Sequence, residues 1–313
     1  MRSLPGRFIG ALLVGASLVA LPFAVRSAHA QAPVPQTMGP SSAVTARRTT
    51  TAWKDSTRAF RVCSDPDNLP FSDAKRDGFE NKIAAVIAAA LGDSVSYLWW
   101  PTRRGFINNT LNTLQCDVVM GIPSAYDLVR ATHSYYRSRY YIVTRADRHL
   151  DITTLDDPRL KQLTIGVNII GEDYTNTPPA MALSAHGVTQ HLVGYSTFYN
   201  DEHRPGDIVD GVVKGDIDVA LVWGPLAGYY AGRSSVPLTL SPLPDSDSSG
   251  LPFAFDVAIG VRHSDRELAA KINAILTQKR SEIEQILREY HIPTEPSTRP
   301  NSPTSSQKDG RHR

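Results

Sequence analysis

The chain has 313 residues, of which 41% are hydrophobic and 20% are charged, and its 33 basic and 31 acidic residues give a formal net charge of +2. A nearly neutral balance without a basic stripe is not typical of a surface that binds nucleic acids or anionic lipids. The two cysteines are too few for a zinc site when no histidine pair has a ligand spacing, so we expect no metal site.

The first 30 residues have the pattern of a secretory signal peptide. Arg2 and Arg7 form a basic start, the segment FIGALLVGASLVALPFAV is apolar, and AHA at 28–30 is a small-residue cleavage site. The alternative is an uncleaved membrane anchor, which Pro22 within the apolar run disfavours. We expect export to the periplasm, and no second apolar run approaches the roughly 20 residues that cross a bilayer.

Both ends of the mature chain are rich in Pro, Ser and Thr and poor in large apolar residues. Such segments bury too little apolar surface to offset the entropy lost on ordering. We therefore predict a disordered linker over 31–57 and a disordered tail over 294–313. The remaining core of about 235 residues is long enough to form two lobes.

The core begins with alternating strands and helices. FRVCSD predicts a buried strand, the apolar spacing after Gly78 predicts a helix that ends at Gly92, and VSYLWW predicts a second strand. PTRRGFINNTLNTL predicts another helix with Thr102 as its N-cap, and CDVVMGI predicts a third strand. This order is typical of a parallel sheet with right-handed crossovers.

The two cysteines lie in the first and third of these strand segments. If the first strand is central, Cys63 and Cys116 lie on neighbouring strands. An oxidising compartment then favours a disulfide. The alternative is a pair of buried free thiols that behave as small apolar groups.

The strand and helix pattern starts again in the second half. YYIVTRAD at 140–147 predicts a strand that leaves the first lobe, and DRELAAKINAILTQKRSEIEQILREY predicts one long amphipathic C-terminal helix. We therefore predict an α/β fold with a second lobe at 144–245 inserted into a first lobe made of 58–143 and 246–293. Two chain crossings then form a hinge, and the cleft between the lobes is the default binding site.

An exported chain with two such lobes and the segments RVCSDPDNLPFS and GFENKIAAVIAAALG resembles the type II periplasmic binding proteins, specifically the polar-amino-acid class of ABC transporters. The resemblance implies an Arg that grips the substrate carboxylate and an Asp that grips the ammonium. Leu128 and Trp223 stand at those positions, and Glu172 stands beside the usual hydroxyl and amide donors. An amino-acid ligand is therefore disfavoured, unless a shift in register returns Arg130 to the grip.

Several segments resemble the MoxJ/XoxJ-type proteins more closely. They are CSDPDNLPFS, GFENKIA, WWPTRRGFINNTL, CDVVMGIPSAYDLV, GEDYTNTPPAMAL and RPGDIVDGVVKGDIDVALVWGPLAGYYA. The resemblance implies a periplasmic accessory role for a PQQ-dependent (quinoprotein) methanol or alcohol dehydrogenase as partner, with no cofactor of its own and no catalytic residue. The alternatives are a transporter protein for a small polar or aromatic solute and a dehydratase-like enzyme, for which Glu172, Asp127 and His133 are acid–base candidates.

The residues that we predict to line the cleft are mostly polar and aromatic, and Trp, Tyr and Arg are the types enriched where proteins bury one another. They are Asp65, Asn68, Phe71, Trp99, Trp100, Arg103, Arg104, Tyr126, Asp127, Arg130, Glu172, Asp173, Tyr174 and Trp223. Trp99 and Trp100 alternate on a strand, so one is expected in the core and one at the cleft rim. DPDN at 65–68 has the composition of a metal loop, but one short turn supplies too few oxygen ligands for a hard cation, so a plain turn is favoured.

Overall fold

A computed structural model describes residues 59–170 and 176–296. The strands are Ala59–Ser64 (β1), Asp67–Asn68 (β2), Ser72–Asp73 (β3), Ser94–Trp99 (β4), Val118–Pro123 (β5), Arg130–Ala131 (β6), Tyr136–Arg145 (β7), Ile165–Ile169 (β8), Leu192–Ser196 (β9), Val219–Trp223 (β10), Leu238–Pro242 (β11) and Ala254–Val261 (β12). The α-helices are Phe79–Leu91 (α1), Phe106–Asn109 (α2), Pro178–Ala185 (α3), Asp207–Lys214 (α4), Gly224–Ala231 (α5), Arg266–Gln278 (α6) and Arg280–Glu289 (α7). The predicted signal peptide and nearly all of the predicted linker and tail lie outside the described residues.

The strand order places two lobes on one shared strand, β7. In lobe 1 the order is β4-β1-β5-β12-β7, and in lobe 2 it continues as β7-β10-β8-β9. The first part of β7, Tyr136–Arg139, pairs with β12, whereas Tyr140–Thr144 pairs with β10. The chain returns between β11 and β12, so the predicted α/β fold with an inserted second lobe is confirmed.

Each lobe buries its sheet against helices. In lobe 1 the larger core lies between the sheet and α1, α6 and α7, with Phe79, Ile83 and Ile87 of α1 fully buried. In lobe 2 one core lies beneath α3 and another beneath α4 and α5. No helix within 59–170 and 176–296 has the length and apolarity that a bilayer crossing requires.

Helix α1 lies where the sequence predicts it. Gly78 is its N-cap, and a Cβ there would lie 2.1 Å from the carbonyl oxygen of Phe71, so only glycine fits. Gly92 ends the helix in the left-handed conformation, with φ of 76°. The start of α1 is thereby fixed close to the loop that follows β1.

The predicted helix after β4 is much shorter than expected, and Thr102 is not its N-cap. Helix α2 begins after Gly105, which has φ of 83°, and ends at Thr110, whose backbone leaves the helical region. The Thr110 hydroxyl donates to the carbonyl oxygen of Phe106 at 2.5 Å. The Asn- and Thr-rich sequence has low helix propensity and offers such side-chain bonds instead, which explains the short helix.

The single long C-terminal helix of the prediction is wrong, because the structure has two helices. Helix α6 ends at Gln278 and α7 begins at Arg280, with Lys279 at φ −98° and ψ 13° between them. The bend allows Leu276 of α6 and Ile283 of α7 to reach the same lobe 1 core. Strand β11, which pairs with β7, was also not predicted from the sequence.

The predicted neighbours β1 and β5 pair in parallel, with Cys63 opposite Val119. The structure joins Cys63 and Cys116 in a disulfide, with their Cα atoms 5.5 Å apart. Both cysteines are buried in the smaller core on the second face of the lobe 1 sheet. The bridge therefore ties β1 to the segment that enters β5.

Candidate functional site

The two lobes approach each other at the carboxyl ends of their parallel strands, which is where ligands bind in open α/β sheets. The Tyr230 hydroxyl of α5 in lobe 2 donates to the carbonyl oxygen of Leu69 in lobe 1 at 3.1 Å. The Arg103 guanidinium of lobe 1 lies 5.6 Å from the ring centre of Phe198 in lobe 2. The segment after β2 therefore faces α5, and the loop after β4 faces the loop after β9.

The Asp65 carboxylate holds two loops of lobe 1 together. Its Oδ1 accepts a hydrogen bond from the Asp67 amide at 3.0 Å, and its Oδ2 accepts one from the Thr102 amide at 2.6 Å. The side chain is buried. Asp65 therefore shapes the site as a turn residue, which agrees with the interpretation of DPDN as a turn.

Asn68 and Phe71 lie in the tight hairpin that follows this turn. The carbonyl oxygen of Asn68 accepts a hydrogen bond from the Phe71 amide at 2.9 Å. The Phe71 ring lies 5.4 Å from that of Phe79, and Phe71 packs against core residues of both lobes. Phe71 is thus a contact between the lobes.

The adjacent tryptophans have different surroundings. The Trp99 ring stacks on the Tyr97 ring, with centres 4.5 Å apart and planes 9° apart, and is half-buried. Trp100 is 40% exposed just past the carboxyl end of β4, and its amide donates to the Ser64 carbonyl at 2.9 Å. Trp100 is therefore the better placed of the two to meet a ligand or a partner.

Other predicted residues lie on exposed loops of lobe 1. Arg103 and Arg104 follow Trp100 and are exposed, and Arg104 also interacts with another group of the protein. Tyr126 and Asp127 follow β5. The Tyr126 side chain is exposed, and the backbone carbonyl oxygen of Asp127 is hydrogen-bonded to the His263 imidazole. Residues Glu172, Asp173 and Tyr174 lie outside the described residues.

Arg130 lies away from the carboxyl end of β5. It is opposite Val261 in the pairing of β6 with β12, and Val261 is in turn opposite Val118, the first residue of β5. The Arg130 guanidinium donates to the carbonyl oxygen of His263 at 3.1 Å. A shift of register therefore does not bring Arg130 to the amino-acid grip, and we leave it out of the site.

Trp223 lies at the hinge, at the end of β10. It lies beside the Tyr136 hydroxyl, and its ring lies 5.2 Å from Tyr140 and 5.9 Å from Phe255. It packs against the cores of both lobes. By the sequence resemblance to amino-acid-binding proteins, this is the position of the Asp that grips the ammonium, and an indole stands there instead.

The described residues include no group of three or more His, Cys, Asp or Glu side chains arranged to hold a metal ion.

Acidic side chains do approach each other between the lobes. Burial, followed by the nearby Asp65, Asp201 and Asp73 carboxylates, raises the pKa of Asp67. This part of the site is therefore unfavourable for an anionic group.

The chain was compared with protein-family models and no model matches it. It is 33% identical over 259 residues to protein MoxJ of Methylorubrum extorquens, with 78% of this chain and 84% of MoxJ covered. The chain belongs to the MoxJ family. Protein MoxJ of Paracoccus denitrificans is 28% identical over 260 residues, which cover 77% of this chain and 91% of that protein.

Solved structures agree with the MoxJ family and with the fold. The periplasmic binding protein XoxJ of Methylobacterium extorquens AM1 is 36% identical with a TM-score of 0.63, covering 76% of this chain and all of XoxJ. MxaJ of Methylophaga aminisulfidivorans MPT is 29% identical with a TM-score of 0.66, covering 75% and 100%. An ancestral cationic amino-acid solute-binding protein, at 21% identity and a TM-score of 0.57 over 75% of this chain and 96% of its own, shares the type II binding fold alone.

Sequence reasoning missed several residues at the site of this MoxJ-family protein. Phe198 and Tyr199 follow β9, and burial together with nearby Tyr230 and Asp65 raises the pKa of the Tyr199 hydroxyl. The available signal was the aromatic pair in the sequence TFYN.

Proposed function

We propose that this MoxJ-family chain is an exported, non-catalytic periplasmic protein that assists a PQQ-dependent methanol or alcohol dehydrogenase. Its leader, at 1–30, would direct export. The partner, or a segment of it, would meet the carboxyl edge of lobe 1. The resemblance to the MoxJ/XoxJ type supplies the class of partner, and the position of Trp223 carries the argument against a nutrient-binding role.

An amino acid bound between the lobes needs charged partners for its ammonium and its carboxylate. Trp223 instead presents an indole that lies beside Tyr136 and packs against the rings of Tyr140 and Phe255. Each hydrogen bond to a charged group is worth roughly 1.5–3 kcal/mol, and a buried charge left unpaired loses more than that. This arrangement favours a function other than amino-acid transport.

The exposed side chains of lobe 1 favour a protein partner. Trp100 and Tyr126 are 40% and 38% exposed, and Arg103, three residues after Trp100, is also exposed. Trp, Tyr and Arg dominate the residues whose truncation weakens protein complexes. We assign the partner contact to this edge, with Trp100 as its principal side chain.

The arrangement of the acid–base candidates favours a non-catalytic protein. Asp127 lies on an exposed loop, whereas His133 lines a cavity of about 10 Å³ beside α6 and α7, which has room for about one water molecule. General acid–base catalysis requires groups positioned around one reacting centre. Transport of a small polar or aromatic solute remains the competing hypothesis.

A pull-down from periplasmic extract tests the proposal. We expect the mature wild-type chain to capture a quinoprotein dehydrogenase, and Trp100→Ala or Arg103→Ala to reduce its recovery. Leu114→Ala is the control, because Leu114 is 55% exposed but precedes the opposite end of β5. If the wild type captures no dehydrogenase, the proposal is wrong; if all variants capture it equally, the assigned surface is wrong.

A further inference from the structure

The segment at 290–295 follows α7 and runs from lobe 1 across the hinge; it is here called the C-terminal strap. Its first half belongs to lobe 1, because Ile292 is 5% exposed in the core beneath α1, α6 and α7. The Tyr290 ring lies 6.1 Å from that of Phe79, and the Tyr290 hydroxyl donates to the carbonyl oxygen of Asp77. The strap is therefore anchored in lobe 1 where it begins.

The second half of the strap lies along β7. The Ser138 hydroxyl donates to the carbonyl oxygen of Pro293 at 2.7 Å, and the Glu295 amide donates to that of Arg137 at 3.0 Å. These β7 residues pair with β12 of lobe 1, whereas β7 pairs with β10 of lobe 2 from Tyr140 onwards. The strap thus covers β7 immediately before that strand passes from one lobe to the other.

The Glu295 carboxylate links the two crossings of the hinge through Arg139. The Arg139 guanidinium donates to both carboxylate oxygens of Glu295, with Nη2 and Oε2 2.6 Å apart. It also donates to the Leu243 carbonyl oxygen at 2.6 Å and to Oδ1 of Asp245 at 2.9 Å, in the segment by which the chain returns from lobe 2. A bidentate pair fixes orientation as well as distance, so Glu295 restrains both crossings together.

Lobe 2 packs directly on the strap through two glycines at the end of α5. A Cβ on Gly228 would lie 2.0 Å from the carbonyl oxygen of His291, and a Cβ on Gly232 would lie 2.9 Å from the His291 ring. Residues four apart lie on one face of a helix, so this face of α5 touches the strap along a full turn. Beside it, the Tyr229 ring stacks on that of Tyr290, with centres 6.0 Å apart and planes 17° apart.

These contacts restrict rotation of one lobe against the other. Lobes open and close when a few hinge residues are free to absorb the change in backbone angles. Here the hinge is bonded to the strap, and the strap is in contact with lobe 1 at one end and with α5 of lobe 2 along its length. Every group in these contacts belongs to this chain, so the restraint acts without a ligand.

We propose that the C-terminal strap holds the two lobes at one angle, and that the Glu295 carboxylate and the α5 glycines are the contacts through which it does so. The protein then presents one preformed surface built from both lobes, instead of closing around a ligand. A preformed surface binds without the free-energy cost of a conformational change. The inference concerns the chain alone and does not depend on the proposed function.

Distances between spin labels in the protein without ligand test the restraint. Lys82→Cys on α1 and Lys214→Cys at the end of α4 give an exposed labelling position on each lobe, and the Cys63–Cys116 bridge is buried. Double electron–electron resonance should give one narrow distance for the chain with these two changes alone. Adding Glu295→Gln removes the charge from the pair with Arg139. We therefore expect a second distance, populated at least about tenfold more than in the chain without this change.

Two further variants separate the strap from charge and from folding. Glu282→Gln is the matched control, because Glu282 pairs with Lys279 at 3.0 Å on an exposed part of α7, and it should keep the single distance. Gly228→Ala places a methyl group against the His291 carbonyl without changing any charge, and we expect it to give the second distance too. If Gly228→Ala does not fold, Glu295→Gln alone decides.

Hydrogen exchange distinguishes release of the strap from a general loss of stability. The amide of residue 295, which is bonded to Arg137, should exchange at least about tenfold faster in Glu295→Gln and Gly228→Ala, whereas the amide of Ile83 inside α1 should keep its rate. A single unchanged distance in every folded strap variant would overturn the proposal. So would two distances in the chain with an intact strap, or equal acceleration at residue 295 and Ile83.

Discussion

The Tyr135 hydroxyl donates a hydrogen bond to Oε1 of Glu80 at 2.8 Å, inside lobe 1. The same hydroxyl accepts a bond from the Gly121 amide at 3.1 Å. Gly121 has φ of 71°, and a Cβ there would lie 2.5 Å from the Glu80 carboxylate, so its glycine leaves room for this group. The first turn of α1 is thus joined to the end of β5 by a buried acid.

Glu80 predicts a pH dependence of stability. Burial raises the pKa of its carboxyl to about 7, while the Tyr135 bond lowers it. This pKa lies above the value of 4.5 for an ordinary Glu, so the folded protein holds the proton more tightly than the unfolded chain does. The free energy of unfolding is therefore highest below pH 4.5 and falls as the pH rises from there through 7. The shift corresponds to a loss of about 3 kcal/mol.

Glu80→Gln removes this dependence. We expect it to match the wild type near pH 4.5 and to be more stable by up to about 3 kcal/mol at pH 8, because glutamine stays neutral. Urea unfolding across this pH range measures the difference. Glu284→Gln, on the exposed face of α7, is the control; a constant difference between Glu80→Gln and wild type at all pH values would contradict the prediction.

The Cys63–Cys116 bridge predicts a response to reduction. It spans a sequence separation of 53 residues, and such a loop closure contributes roughly 2–4 kcal/mol to the free energy of unfolding. The denatured, unreduced protein should contain no titratable thiol, and a reductant should lower the melting temperature. Cys63→Ser with Cys116→Ser should melt lower and no longer respond to reductant, whereas two free thiols in the wild type would exclude the bridge.

The hinge contains an ion-pair network whose loss should be costly. Arg137 of β7 lies 3.4 Å from Asp256 of β12 and 3.2 Å from Asp245, and the Arg137 and Asp256 side chains are 9% and 8% exposed. Arg137→Met removes the cation from a place with little solvent, so we expect a loss of about 3–5 kcal/mol.

Arg145→Met is the matched control on the same strand. Its partner Asp147 is 61% exposed, and exposed pairs contribute at most about 1 kcal/mol. Denaturant unfolding of the two variants measures both losses. Equal losses for Arg137→Met and Arg145→Met would show that the hinge network does not stabilise the fold.

The elements predicted correctly are those whose local signals agree with their packing. Helix α1 has an apolar face, a glycine at each end and a core to cover, and β5 is apolar enough to be buried on both faces. The break at Lys279 was not predictable, because the sequence on both sides is amphipathic and only the curvature of the shared core requires the bend. Propensity is a weak guide where tertiary contacts decide.

The site was less predictable than the fold. Trp223 was singled out by its position before a proline, and its hinge contacts follow from β10 and β7 lying side by side. The position of Arg130 depends on the pairing of β6 with β12, a register between distant segments that no local pattern encodes.

Free amino acids should not stabilise this protein through the hinge site. A ligand at 100 times its Kd stabilises by about 2.7 kcal/mol, which raises the melting temperature of a domain of this size by roughly 5–10 °C. Trp223 packs against aromatic rings and Arg130 is hydrogen-bonded to the carbonyl oxygen of His263, so neither of these two residues supplies a charged partner for an amino acid. We expect no shift from a panel of amino acids by differential scanning fluorimetry. A clear shift by any amino acid would favour the transport hypothesis over an accessory role.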